Sequence, residues 1–195
     1  MFESINIELL QLVRFNADMH PIVSKLAVFF AQFGPYILLF SFALVWLFIE
    51  KPRRLVLVES IVAAVIGLVL NWFIGLVYYH PRPFLMGLCD PLFPHAPDAS
   101  FPSDHATLLF SIALYVLLPK RWISFGTFCL AVAILTSWGR IYSCIHFPFD
   151  IVGSLMVGLI SAEVAHFLAK PLNAFNKRLV DVVSFVTNSL KRTRA

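Results

Sequence analysis

Charge is what this chain has least of. Only 13% of its 195 residues are Asp, Glu, Lys or Arg, against 59% hydrophobic, and mean hydropathy is +0.83. A water-soluble domain carries about twice that charged share because its surface must face solvent, so a soluble globular fold is excluded. Cysteine is scarce too: three residues, with no CxxC and no Cys/His ligand spacing, which argues against structural zinc. No internal repeat, low-complexity tract or loop long enough for a second domain interrupts the sequence, so residues 1–195 are read as one unit. A cleaved leader is not expected, since the first apolar stretch starts late and has the wrong flanks. The formal charge of +4 would point to nucleic acid only in a soluble protein, and no nucleic-acid partner is expected here.

What the sequence does have is long apolar runs. Spans of ~20 residues cross ~30 Å of hydrocarbon, and residues 26–49, 55–79, 105–118, 122–139 and 149–169 qualify, the third being short. The reading is an all-α integral membrane protein: a bundle of about five transmembrane helices, with interfacial helices at the N- and C-termini. The core is residues 26–169. At 171–192, Phe175, Leu179, Val182, Val183, Val186 and Leu190 recur at helical spacing opposite Lys177, Arg178 and Lys191, the pattern of a helix lying on a membrane surface. Residues 5–15 have a similar character, and for both ends an anchoring role outside the chemistry is the expectation.

Where the few charges fall sets an orientation. Lys51, Arg53 and Arg54 follow the first run, Lys120 and Arg121 the third, and Lys170, Lys177, Arg178, Lys191, Arg192 and Arg194 the fifth. The other ends carry only Arg14, Lys25, Arg82 and Arg140. The positive-inside rule then puts the C-terminus in the cytoplasm, and loops 80–104 and 140–148 on the outer side, facing the periplasm or cell exterior from a plasma (inner) membrane. Cys89 and Cys144 lie in those outer loops. Their positions permit a disulfide and equally permit two unpaired thiols.

Loop 80–104 holds Pro81, Pro83, Pro91, Pro94, Pro97 and Pro102, which forbid a continuous helix. Pro102-Ser103 reads as a stop with Ser103 as N-cap of the next span, its free N–H groups aimed outward, where an anion is favoured.

Three polar clusters stand out on that side: His80-Pro81-Arg82-Pro83, then Pro102-Ser103-Asp104-His105, then Arg140 with His146 and Asp150. A lone Arg or His at a span end is more often an interfacial anchor. Three clusters on one side of an apolar protein invite a functional reading, and phosphoryl transfer uses this set. Arg82 and Arg140 suit the equatorial phosphate oxygens, and Ser103 can add donors. His146 and Asp150 stand four apart around Pro148, so the carboxylate can fix the imidazole tautomer while the free nitrogen attacks phosphorus. His105 can then protonate the leaving oxygen and later activate water.

These residues resemble a known family. Arg82-Pro83, the Pro-Ser-Asp-His run at 102–105, and Arg140 followed after five residues by His146 and after three more by Asp150 look like the three motifs of the type 2 phosphatidic acid phosphatase superfamily. YYHPRPF at 78–84 and PHAPDASFPSDH at 94–105 are similar to the bacterial undecaprenyl-diphosphatases associated with bacitracin resistance. The resemblance implies a metal-free and cofactor-free phosphohistidine mechanism acting on a membrane lipid, a polyprenyl diphosphate. It makes His146 the nucleophile, Asp150 its partner and His105 the acid and base. Arg82, Ser103, Asp104 and Arg140 are expected around the phosphate.

Three positions depart from the superfamily's pattern. Gly75 stands in the place of a lysine, with His80, Tyr78 and Asn71 as nearby groups able to compensate. Asp104 replaces a glycine, and Gly139 replaces a serine, removing one expected phosphate donor. His95, Asp90 and Asp98 are read as turn residues of a Pro-rich loop without a catalytic role. Asn71, Glu59, Glu163 and His166 are expected in helix-to-helix hydrogen bonds or at the interface.

Overall fold

The computed structural model describes residues 2–15, 17–118 and 122–192. Lys120, Arg121 and Arg194 of the charge pattern lie outside them. Among the described residues there are helices and loops and no strand. Seven α-helices follow one another: α1 (Phe2–Val13), α2 (Pro21–Phe48), α3 (Lys51–Val77), α4 (Asp104–Leu117), α5 (Ile123–Tyr142), α6 (Pro148–Ala169) and α7 (Asn173–Arg192). Proline opens α2, α3 and α6 within the first turn, at Pro21, Pro52 and Pro148, where its missing N–H has no intrahelical acceptor to lose.

Helices α2, α3, α5 and α6 are long and apolar enough to cross a membrane. With them the protein is an integral membrane helical bundle. The fifth expected span, α4, has 14 residues and rises only about 21 Å. It can be short because α3, α5 and α6 pack around it and Ala106, Leu109, Ala113 and Val116 are fully buried, so its length answers to protein neighbours rather than to lipid. Small residues allow that packing. A methyl group on Gly158 of α6 would come within 2.8 Å of Phe110 Cβ on α4.

Polar groups inside the bundle pair across helices. Tyr115 donates to Glu59 at 2.6 Å, and Asn71 donates to Thr107 at 3.0 Å, as expected for polar side chains that water cannot reach. α7 rests on α3 through Asn176, Val180 and Ser184, with Arg54 donating to Ser184 at 2.9 Å and an exposed Lys51–Asp181 pair at 3.0 Å. Phe175, Val182, Phe185 and Val186 point away from the bundle. The side chain of Leu190 lies outside the described ones.

The N-terminal helix does more than anchor. Leu10 of α1 packs with Ile141 and Phe147 at the corner between α5 and α6, and Asn6 accepts a hydrogen bond from the Phe149 N–H at 3.0 Å. Burying Leu10 at 1% exposure and Asn6 at 3% ties α1 to the corner that carries the third polar cluster. Spacing alone could not reveal this, because an amphipathic helix suits a protein groove as well as a membrane surface.

Candidate active site

Arg140 lies in the last turn of α5, after which the chain reverses through Cys144, whose φ of 64° is in the left-handed region. Pro148 restarts the helix, and Asp150 caps it by accepting the Phe147 N–H at 2.7 Å. His146 is held at this corner with 1% exposure. Its Nδ1 lies 2.8 Å from the Ser100 carbonyl oxygen, an acceptor that assigns the proton to Nδ1. Asp150 Oδ2 is farther, 3.5 Å from Nδ1, and accepts the Ser100 hydroxyl at 2.5 Å. The simple His–Asp pair expected from the spacing is thus a triangle of His146, Asp150 and Ser100.

The other ring nitrogen faces two guanidinium groups, with Arg82 Nη1 at 3.1 Å and Arg140 Nη2 at 3.3 Å. Guanidinium only donates, so Nε2 is an acceptor with its lone pair directed between them. Burial first, and then the charges of Arg140 and Arg82, hold the His146 imidazole well below its ordinary pKa against the opposing pull of Asp150. The ring is therefore neutral at neutral pH, the form a nucleophile needs.

Both arginines are nearly inaccessible, at 4% and 3% exposure. Arg82 donates from Nη1 to the Ile145 carbonyl at 3.0 Å, from Nη2 to the Ala99 carbonyl at 3.1 Å, and from both Nε and Nη2 to Asp98 at 2.8 Å. Arg140 reaches His95 Nε2 from Nη2 at 2.9 Å, while its buried Nε has no partner among the described residues. His105 lies in the first turn of α4, one residue after Asp104, and is half-buried.

Ser103 stands at the N-cap position as expected, yet its side chain makes no capping bond. Its hydroxyl is fully buried and unpartnered among the described residues, and its N–H donates to Ser154 at 2.8 Å. Asp104 is exposed and accepts from Asn71 at 2.9 Å. The structure therefore brings Arg82 and Arg140 against His146, with Asp150 behind the same ring, places Ser103 and His105 at the start of α4, and turns Asp104 toward α3.

Four residues join the site that sequence reasoning left out of it or weighed lightly. Ser100, His95 and Asp98 come from the Pro-rich loop, which the Ser100 N–H pins to the His80 carbonyl at 2.7 Å. His80 stands behind Asp150, its Nδ1 3.6 Å from Oδ1 and its Nε2 3.4 Å from Glu3 of α1. The neighbouring Asp150 carboxylate is the largest cause of its raised pKa, opposed by burial. A polar residue in such a loop looks the same in sequence whether it serves a turn or a site; only the position of Ser100 three residues before Ser103 hinted at proximity. A disulfide joins Cys89 to Cys144 across 55 residues and ties the same loop to the His146 corner.

A profile of the PAP2 superfamily matches residues 55–172, which run through α3, α4, α5 and α6 and contain all three polar clusters. The chain belongs to the PAP2 superfamily. It is 29% identical to the undecaprenyl-diphosphatase BcrC of Bacillus subtilis over 96% of each chain. It is 26% identical to a protein of Bacillus licheniformis named bacitracin transport permease protein BcrC, over 91% of this chain and 87% of that one. Among solved structures, the crystal structure of Aquifex aeolicus LpxE superposes with a TM-score of 0.68 at 26% identity, covering 83% of this chain and 94% of that one.

Two departures from the PAP2 pattern now have a physical account. Gly75 faces open space, with nothing within 4 Å of a Cβ built there, and no cation occupies the place of the superfamily's lysine on α3. Gly139 is pressed against α2: a Cβ would come within 2.4 Å of the Ala27 carbonyl oxygen and 2.9 Å of the Ala31 nitrogen. A serine there would meet backbone rather than phosphate, so the glycine serves helix packing. Gly139→Ser is expected to cost about 1–3 kcal/mol through overpacking and to lower the thermal unfolding temperature in detergent; an unchanged midpoint would show that α2 can move aside freely.

Proposed function

We propose that this PAP2 phosphatase hydrolyses undecaprenyl diphosphate to undecaprenyl phosphate and inorganic phosphate at the outer face of the plasma membrane, with all 195 residues acting as one membrane-embedded domain. The observation that carries the reading is the lone pair of a buried, neutral His146 Nε2 held between two guanidinium groups at 3.1 and 3.3 Å. That arrangement suits a phosphoryl group whose charged oxygens are neutralised while its phosphorus meets the nucleophile.

In this reading Arg82 and Arg140 bind the terminal phosphoryl group, with the unpartnered Ser103 hydroxyl and Arg140 Nε as further donors. Nε2 of His146 attacks phosphorus, and the bond from phosphorus to the bridging oxygen breaks. His105 gives that oxygen its proton, and undecaprenyl phosphate leaves. The Ser100 carbonyl and Asp150 stabilise the cationic phosphohistidine. Water, deprotonated by His105, then attacks phosphorus, releasing phosphate and restoring the neutral ring.

A lipid substrate is supported by the surroundings as well as by the name of the Bacillus subtilis relative. An apolar cavity of about 460 Å³ lies between α2 and α3, lined by Pro35, Leu39, Phe42, Ile61, Leu68 and Leu108. It begins a turn below Ala31, the α2 residue whose carbonyl faces Arg140, so a tail can stay among helices while the head group reaches the arginines. The outer orientation is supported by the distribution of Lys and Arg and by the Cys89–Cys144 disulfide, which belongs to an oxidising compartment.

The name of the Bacillus licheniformis relative favours a second reading, in which the same pocket binds a lipid phosphate and moves it without turnover. Phosphate release by purified protein in detergent, with EDTA present, separates the two. Release from undecaprenyl diphosphate faster than from phosphatidate or phosphatidylglycerol phosphate is expected, and binding without release would sink the hydrolase. Orientation has its own test. With Cys89 and Cys144 joined and Cys129 buried, the natural cysteines stay silent, so Ala96→Cys should react with an impermeant thiol reagent added outside and Lys120→Cys should not. The opposite labelling pattern would reverse the assignment.

A further inference from the structure

The Pro-rich loop places a third basic side chain at the two arginines. His95 lies on no helix, yet it is held in place: its Nε2 is 2.9 Å from Arg140 Nη2, its Nδ1 is 3.2 Å from the Ala96 carbonyl oxygen and 4.0 Å from Asp98 Oδ1, and its side chain is 17% exposed. Its ring stands edge-on to that of His146 with 6.5 Å between centroids. Arg140 Nη2 thus lies between two imidazoles and within hydrogen-bond distance of a ring nitrogen on each.

We propose that His95 is a third phosphate-binding residue of this site, one that grips the phosphate remaining on the lipid and so makes the protein select diphosphates over monophosphates. The inference rests on the reading of His146 as nucleophile given above. The terminal phosphoryl group meets His146 Nε2 between Arg82 and Arg140, and an in-line displacement puts the leaving phosphate on the side away from that nitrogen. His95 is the basic side chain that the loop sets on the far side of Arg140 Nη2 from His146.

The chemistry is self-consistent. Arg140 can only donate to His95, so Nε2 is the acceptor and the Nδ1 proton points to the Ala96 carbonyl. The imidazole is neutral in that arrangement, its pKa lowered by burial first and by Arg82 and Arg140, with Ala96 and Asp98 opposing. The groups facing it are Arg82, Arg140, His105, His146 and Asp98. A diphosphate brings negative charge among these cations and reverses the balance: Arg140 turns its N–H from His95 to a phosphate oxygen, Nε2 takes up a proton from solvent and donates it in a hydrogen bond to the phosphate, and the Asp98 carboxylate stays beside Nδ1. A monophosphate ester, whose leaving group is an uncharged alcohol, offers His95 nothing to hold.

The test compares the parent with His95→Ala and His95→Gln, using kcat/KM for a prenyl diphosphate and for the matching prenyl monophosphate. His95→Ala should lower the ratio of the two by about 10- to 100-fold, the range of one charge-assisted hydrogen bond, mainly by raising KM for the diphosphate. His95→Gln, which keeps an N–H donor, should retain part of the preference. An equal loss on both substrates, or an unchanged ratio, would overturn the proposal. A second measurement does not depend on turnover: methylenediphosphonate should raise the unfolding temperature of the parent more than methylphosphonate does, and His95→Ala should lose that difference. A parent that releases no phosphate would refute the hydrolase reading while the thermal shifts still decide the role of His95; equal shifts in the parent and His95→Ala would reject it.

Discussion

Changing His146 to alanine is expected to abolish phosphate release and the covalent phosphoenzyme together, by about 10⁴-fold or more in kcat, while the fold survives. The geometry explains both halves. Nε2 is the nitrogen whose lone pair lies between Arg82 and Arg140, so removing the ring removes the attacking atom rather than a binding contact. The neighbours left behind keep other partners: Arg82 Nη1 still has the Ile145 carbonyl, Arg140 Nη2 still has His95, and Asp150 still caps Phe147 and accepts from Ser100. The vacated space is polar and can hold water. His105→Ala should behave differently, since His105 serves both steps as proton carrier; it should slow turnover yet still permit acid-labile label from a ³²P-substrate to reach the protein. Trapping that label in the parent and in His105→Ala but not in His146→Ala is the expected pattern. Label on His146→Ala would assign the nucleophile elsewhere.

Arg82→Ala should damage catalysis and stability at once, whereas Arg82→Lys should damage mainly catalysis. The guanidinium reaches His146 and three acceptors from two parts of the chain, the carbonyl of Ile145 beside His146, and the Ala99 carbonyl and Asp98 carboxylate of the Pro-rich loop. Alanine strands the two carbonyls, at about 1–3 kcal/mol for each one that stays dry. Asp98 adds little, because its side chain is 63% exposed and can turn to water. Loss of a cation at the transferring phosphoryl group is worth about 10³-fold in rate. Lysine keeps the charge and can hold one carbonyl, yet a single ammonium cannot serve Asp98, Ala99 and Ile145 together while facing Nε2. The check is kcat beside the thermal midpoint for both variants. Lysine retaining activity within tenfold of the parent would mean that charge alone, without the planar fork, suffices at position 82.

Much of this could be read before any coordinates. The apolar runs marked the helices to within a few residues because each must satisfy its own backbone in lipid, and Pro148 marked where the last span begins. Arg82, Arg140, His146 and Asp150 were legible because polar residues are so few in this chain that three clusters at span ends stand out. His146 and Asp150 could be paired from spacing alone, since four residues bring side chains to one face across a helix start.

The loop was not legible in the same way. Ser100, His95 and Asp98 have no periodicity, and a turn would use the same residue types. Their contacts with His146, Arg140 and Arg82 exist because the Ser100–His80 backbone bond and the Cys89–Cys144 disulfide fold the loop back over the bundle. In sequence, Gly139 likewise reads as the loss of a phosphate donor, whereas the space around it belongs to the α2 backbone.

By itself, then, the sequence determined a membrane-embedded helical bundle, its family, and the polar cluster of His146, Asp150, Arg82 and Arg140, because hydropathy and short-range spacing are local properties of the chain. Only the tertiary structure decided that the Ser100 carbonyl holds the His146 proton, that His95 and Asp98 complete the arginine site, that α4 is short because it is enclosed, and that α1 braces the catalytic corner. Each of these is a contact between residues distant in the chain, created by packing and by the pairing of buried polar groups.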